Sequence, residues 1–259
     1  LSVVFLYKIR LIKVNRIYWW GFFLHDVKYF SIFKILLRLL STDKLHFIVF
    51  SEHEKEQYSK LIGIKSKHLH YVPYGEWDFL YKPVDTDDKI KDYYFSGGYS
   101  NRDYKKLIEV FSTCNKKLII VCSQNNKEIL DTKLAENIKI FTDLSSEEFE
   151  NYLKESMAII FPFKYNSGAS GQSVMLRCMR NKKAVIVTRT DVIKEYVEDG
   201  ISGFIIDDLH KELLPKLDFL EKNHKSRYKL GINLHNKYIK KFSYKAITPY
   251  LSEIINEVR

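Results

Sequence analysis

The chain has 259 residues, 46% of them apolar and 29% charged, with 10 glycines and 5 prolines; this supports a packed core of one large or two small domains and excludes a disordered or fibrous chain. Its three cysteines, Cys114, Cys122 and Cys178, form no Cys-x-x-Cys pair, which argues against a disulfide scaffold or a zinc ribbon and fits a reducing cytosol. The longest apolar runs, such as Tyr18 to Leu24, reach about seven residues where a membrane span needs about 20, no signal-peptide layout is present, and the net charge of +10 suits nucleic acid, an anionic membrane surface or a phosphorylated substrate.

The charge is uneven. Residues 1–50 carry Lys8, Arg10, Lys13, Arg16, Lys28, Lys34, Arg38 and Lys44 against only Asp26 and Asp43. Aromatic side chains such as Phe5, Trp19, Trp20, Phe30 and Phe33 lie among them. That mixture suits an anionic lipid headgroup surface, and it equally suits an amphipathic element with aromatics in a core and lysines on a solvated face.

Arg16 to Leu24 reads as a strand and Lys28 to Leu40 as a basic amphipathic helix. His46 to Phe50 is a buried strand. Glu52 to Ile62 is a helix that Gly63 stops, and His68 to Val72 is a further strand whose two histidines share a face toward solvent. The polar stretch Glu76 to Lys91, with Pro83 and the acidic run Asp85 to Asp88, reads as a linker. Strands and helices then resume. The predicted strands are Tyr93 to Phe95, Lys117 to Cys122, Asn137 to Phe141, Met157 to Phe161, Ala184 to Thr188 and Phe204 to Ile206. Helices are predicted over Asp103 to Ser112, from Ser145, whose spacing to Glu148 suits a capping box, and over Ser170 to Asn181. From Leu209 onward only helical patterns remain. Continuous apolar strands alternating with helices predict parallel sheets covered on both faces. The expected organisation is a short first α/β domain over 1–75, a linker over 76–91, a second α/β domain over 92–241, and a helix over 242–259 that crosses back to the first.

In such sheets ligands sit at the carboxyl ends of the strands. Two of these ends are rich in small residues. The first runs Ser96-Gly97-Gly98-Tyr99-Ser100-Asn101-Arg102, where Gly97 and Gly98 let backbone approach a ligand and Arg102 offers a planar cation to phosphate. The second runs from Phe161 to Ser173 and opens a helix, whose free N–H groups and dipole favour a diphosphate. Lys164 adds charge there, Ser167, Ser170 and Ser173 add hydroxyls, and Gly168, Gly171 and Gln172 complete the turn. Neither loop fits the dinucleotide or P-loop fingerprints. Each taken singly also fits an ordinary strand-to-helix turn.

These segments together resemble the retaining glycosyltransferases of GT-B fold, of the family 4 or group 1 type. The resemblance is best over Tyr71 to Asp208. Val72-Pro73-Tyr74-Gly75 is similar to the motif closing that family's first domain, and Arg102 falls at its diphosphate-binding Lys. Ala184 to Thr188, Glu195-Tyr196-Val197-Glu198-Asp199-Gly200 and Gly203-Phe204 resemble its Pro-Val-Ile, Glu-x-Val-x-Asp-Gly and Gly run. The family's two Glu residues correspond to Ala169 and Arg177. An Arg cannot accept the ribose hydroxyls that the second Glu takes, so Arg177 either contacts phosphate or acceptor, or turns away.

The resemblance implies two Rossmann-like domains, the N-terminal one incomplete here. It implies transfer of a hexose-type sugar, with retention, from a nucleoside-diphosphate sugar (UDP foremost) to a glycan or lipid-linked acceptor in polysaccharide or cell-surface glycan synthesis. No cofactor and no metal are expected, and no nucleic-acid partner. The expected place is the cytoplasm, at the inner face of the membrane. Phe141-Thr142-Asp143 would hold and stack on the base. His25, followed by Asp26, resembles the family's His-Asp pair at the cleft and would orient acceptor or sugar; an ordinary half-buried loop histidine is the other reading. Loss of the Glu pair also fits a non-catalytic GT-B partner that binds nucleotide or glycan without turnover.

Overall fold

A computed structural model describes residues 2–22, 30–40, 42–75, 90–164 and 170–256. The chain forms two compact units, Leu1–Tyr74 with Lys245–Arg259, and Gly75–Tyr244.

The first unit is built on three parallel strands in the order β1-β2-β3: β1 (Ile17–Trp20), β2 (Leu45–Val49) and β3 (Leu69–Tyr71). Its helices include α1 (Ser2–Lys8), α2 (Phe30–Leu40) and α3 (Glu52–Ile62). Strand β2 is buried at every position, and all its residues but His46 are apolar. Leu45, Phe47 and Val49 enter one cluster with Val4, Phe22, Leu37 and Tyr58. Ile48, with Phe50 just beyond the strand, enters another with Val72, against which Tyr250, Leu251 and Ile254 pack. The period of two thus feeds two cores. The last three residues belong to the C-terminal helix α10 (Tyr244–Asn256), whose Ile254 carbonyl accepts from the Tyr18 hydroxyl at 3.4 Å. Helix α10 begins two positions after the residue 242 expected from the sequence, because Phe242 is stacked on Tyr196 at 4.8 Å within the second unit.

Three readings of this unit need correction. The strand expected from Arg16 to Leu24 ends at Trp20, because Gly21 turns the chain at φ 65° and Phe22 swings into the core, 1% exposed. Helix α1 was not foreseen. The strand expected from His68 begins instead with a 3-10 turn, Ser66–His68. That turn takes His68 off the strand face and buries it beside His46, ring to ring at 5.0 Å. His46 Nδ1 in turn lies 2.8 Å from His70 Nε2. The expected solvent-facing histidines are thus members of a largely buried three-histidine cluster.

The second unit is a six-stranded parallel sheet in the order β6-β5-β4-β7-β8-β9. Its elements in chain order are β4 (Tyr94–Gly97), α4 (Tyr104–Phe111), β5 (Leu118–Cys122), α5 (Lys127–Leu130), β6 (Ile138–Thr142), α6 (Ser146–Glu155), β7 (Ile159–Phe161), α7 (Gln172–Arg180), β8 (Val185–Thr188), β9 (Phe204–Ile206), α8 (Leu209–Lys222) and α9 (His224–Lys241). Tyr94, Leu107, Phe111, Leu118, Ile160, Ile186, Leu213 and Leu217 form one buried cluster between sheet and helices. The capping box predicted at Ser145 is present: its side chain accepts from the Glu148 N–H while the Glu148 carboxylate accepts from the Ser145 N–H. Numbered from β4, the strand order is 3-2-1-4-5-6, the doubly wound arrangement. The direction of winding reverses between β4 and β7. A crevice opens beyond their carboxyl ends, and this is where such sheets bind ligands.

Candidate functional site

Both small-residue loops leave the sheet at that reversal point, one after β4 and one after β7. They are stitched together. The Asp103 N–H donates to the Pro162 carbonyl at 2.6 Å and the Lys164 N–H to the Asn101 carbonyl at 3.4 Å. Asn101 Nδ2 donates to Ser170 Oγ at 2.8 Å, and Arg102 forms an isolated antiparallel bridge with Phe163. Asn101 takes a left-handed φ of 54°, which an Asn tolerates better than most residues.

Arg102 is the centre of this arrangement. It is 3% exposed. Its guanidinium carbon lies 4.5 Å from the Phe163 ring centre and 5.5 Å from that of Phe161. Nη1 donates to the Ser100 carbonyl at 2.9 Å. Nε has no hydrogen-bond partner among the described residues. Burial pushes the guanidinium's pKa down, but an arginine remains charged. A buried cation without an anion is costly, so the site is set to receive one.

Around it lies a recess of about 340 Å³. Gly98, Arg102, Gly171, Gln172, Ser173 and Arg177 line it, with Tyr99, Ser100, Leu144, Ser146, Phe149 and Val174. No acidic side chain is among them. Helix α7 starts here, at Gly171 with φ 74° and no side-chain cap, so its first N–H groups and the positive end of its dipole face the recess. Arg177 lies over the Phe149 ring at 5.3 Å, and its Nη1 is 3.9 Å from Glu150 Oε2. Glu150 is itself held by Arg180 Nη2 at 2.8 Å and Asn181 Nδ2 at 2.6 Å.

Six of the expected residues therefore meet in one recess. Others are placed differently. A Cβ on Gly97 would lie 2.5 Å from the Phe149 ring, so this glycine makes room for packing rather than for a ligand. The Phe141 ring, expected to stack on a base, is stacked on Tyr152 at 5.1 Å and 24°. Phe141, Thr142 and Asp143 do not line the recess, while Leu144 and Ser146 just beyond them do. Lys164 lines a separate recess with Arg189, Asp207 and Asp208 and lies 3.4 Å from Glu128 Oε1. Gln172 lines the main recess but its amide donates to the Tyr196 hydroxyl at 2.6 Å. His25, Ser167, Gly168 and Ala169 lie outside the described residues. The sequence reading missed Phe149 and Glu150. Their only signal was a bulky ring and an acid on the helix that Ser145 opens, too common a pattern to single out. Among the described residues no group of three or more His, Cys, Asp or Glu is arranged to hold a metal ion.

The chain is similar to known proteins in family and in fold. The family model for glycosyl transferases group 1 matches residues 82–237. No curated protein matches the chain significantly. Among solved structures, the chain is similar to Anabaena HepE in complex with UDP, at 14% identity and TM-score 0.78 over 98% of this chain and 75% of that one. The same protein in complex with UDP-glucose gives 13% identity and TM-score 0.73, over 93% and 72%. A glycosyltransferase from Rickettsia africae gives 17% identity and TM-score 0.71, over 91% and 68%. At these identities the likeness is one of fold, the two Rossmann-like parallel-sheet units of the GT-B class.

Proposed function

The chain belongs to the glycosyl transferases group 1 family, and from that premise we propose that it transfers a hexose-type sugar, with retention of configuration, from a UDP-sugar to a glycan or lipid-linked acceptor. The observation that carries this reading is the buried Arg102 guanidinium, paired with no acid among the described residues, facing the uncapped start of α7 in a recess that no described acid lines. A diphosphate supplies the missing charge. Arg102 and the α7 N–H groups bind its oxygens, Arg177 lies within the same recess, and Ser173 offers a hydroxyl. As the glycosidic bond to the diphosphate lengthens, negative charge grows on the leaving oxygens, and fixed donors in a partly dry recess stabilise that charge most. The UDP and UDP-glucose bound by HepE support a uridine donor and a hexose. His25 is assigned to the acceptor side from its sequence context. Cytoplasmic action in polysaccharide or cell-surface glycan synthesis completes the proposal.

A second reading rests on Ala169 and Arg177, which stand where the resembled enzymes carry Glu. It makes the chain a non-catalytic partner that binds nucleotide without turnover. Calorimetry with UDP and UDP-glucose, followed by release of UDP from UDP-glucose in the presence of a glycan or lipid-linked acceptor mixture, separates the two. Binding with turnover supports the enzyme, binding without turnover the partner, and no binding removes both.

A further inference from the structure

The recess of the second unit holds two arginines, and the loop after β4 makes room for both. Arg102 is seated on the Phe163 ring, and Gly98 yields it space. Arg177 is seated on the Phe149 ring, its guanidinium carbon 5.3 Å from the ring centre. Gly97 in turn yields space to that ring, whose Cζ lies 2.5 Å from where a Cβ on Gly97 would stand. The two adjacent glycines thus accommodate two guanidinium groups, one directly and one through a phenylalanine. Arg102, Arg177 and Phe149 all line the same recess.

Arg177 stands on the face of α7 that also carries Ser173 and Val174, four and three residues earlier, and all three line the recess. Its side chain is only 19% exposed, so water competes little for a contact made there. Glu150 helps to hold it. Oε1 of Glu150 accepts from Arg180 Nη2 at 2.8 Å and from Asn181 Nδ2 at 2.6 Å, and the Lys154 ammonium lies 3.9 Å from it. Oε2 accepts no hydrogen bond among the described residues and lies 3.9 Å from Arg177 Nη1. One carboxylate is thus shared by three cations. At 3.9 Å its tie to Arg177 is a longer-range attraction rather than a hydrogen bond. Stacking on Phe149 and this attraction together keep the guanidinium at the recess wall.

We propose that Arg177 is a second anion-binding residue of the recess: Arg102 and the α7 N–H groups take one phosphoryl group of a diphosphate, and the guanidinium of Arg177 takes the other. The inference rests on the sugar-transfer reading and adds to it the residue that receives the second phosphoryl group. Two planar forks of donors, each fixed on an aromatic ring, match two phosphoryl groups. A contact of Arg177 with the nucleoside instead is an outcome that the test separates.

Inorganic pyrophosphate carries the two phosphoryl groups and no nucleoside. The test is calorimetry of the 259-residue chain with pyrophosphate and with UDP, across a salt series, in the wild type, Arg177→Gln and Arg177→Lys. Arg177→Gln should weaken both ligands by a similar factor, about tenfold or more, as for a lost hydrogen bond to a charged group. It should also flatten the fall of affinity with salt, since one cation is gone. Arg177→Lys, which keeps the charge and loses the fork, should lie between. Glu150 retains Arg180 and Asn181 in both variants, so the melting temperature should stay near the wild-type value. Loss of UDP affinity with pyrophosphate affinity unchanged would put Arg177 on the nucleoside and overturn the proposal. Wild-type affinity for both ligands in Arg177→Gln would overturn it while leaving the sugar-transfer reading intact. A wild-type chain that binds neither ligand would overturn that reading and this inference together.

Discussion

The guanidinium of Arg102 occupies the space that a Cβ on Gly171 would need, with Nη2 2.7 Å from that position. Gly98 yields the same space from the other side, also at 2.7 Å. The two loops thus close around one cation. Gly171 also holds φ 74°, which an Ala adopts only with strain of about 1–2 kcal/mol. Gly171→Ala should therefore displace the guanidinium and weaken UDP binding about tenfold or more, with a smaller loss of stability. Unchanged calorimetric affinity for UDP would show that the position of Arg102 does not matter to the ligand.

Arg102→Ala removes a charged donor from the recess. UDP affinity should fall by about 1.5–3 kcal/mol, the range for a hydrogen bond to a charged group. Arg102→Lys should recover little, because an ammonium reproduces neither the planar stacking on Phe163 nor the fork of donors. Full recovery by Lys would reduce the residue to a point charge.

Gly231 lies inside α9, where a glycine weakens a helix. A Cβ there would lie 1.9 Å from the Lys182 carbonyl oxygen. Lys182 itself sits at φ 53°, so the turn after α7 has little freedom to retreat. Gly231→Ala should destabilise the second unit by about 2 kcal/mol or more through forced overpacking. Urea denaturation read by circular dichroism measures this, and a wild-type midpoint would refute the close approach.

Burial holds the His68 imidazole below its ordinary value, helped by Lys67 and opposed by Asp43. The fold therefore favours the neutral ring. As pH falls through about 6.5 the unfolded chain takes up a proton there before the folded chain does. Stability contributed by this residue is whole above that pH and declines as pH drops below it. Urea midpoints at pH 7.5 and 5.5 should fall less in His68→Gln than in the wild type. Equal declines would mean that the ring is protonated as easily folded as unfolded.

The elements were legible where local rules act alone. Glu52 to Ile62 is a helix because Ser51 caps it and Gly63, at φ 78°, ends it. The strand around Ile186 is buried at each position because both faces of its sheet are covered. The alternation of strands and helices specified parallel α/β units, and the two small-residue loops marked the ends of β4 and β7. What the sequence left open was which side chains meet. Gly97 and Gly98 are adjacent and alike, yet one accommodates Phe149 and the other Arg102, because successive residues at a strand end point in different directions. Lys164 and Arg102 both read as phosphate cations, but they line different recesses, because the bridge between Arg102 and Phe163 runs between them. His68 turned inward because a 3-10 turn replaced the first residue of a strand, and a one-residue change of phase reverses the face of a side chain. Composition and periodicity fix the elements, since those depend on neighbours a few positions apart. The occupancy of a recess depends on contacts between Gly98, Arg102 and Gly171, which chain separation hides and only the folded sheet brings together.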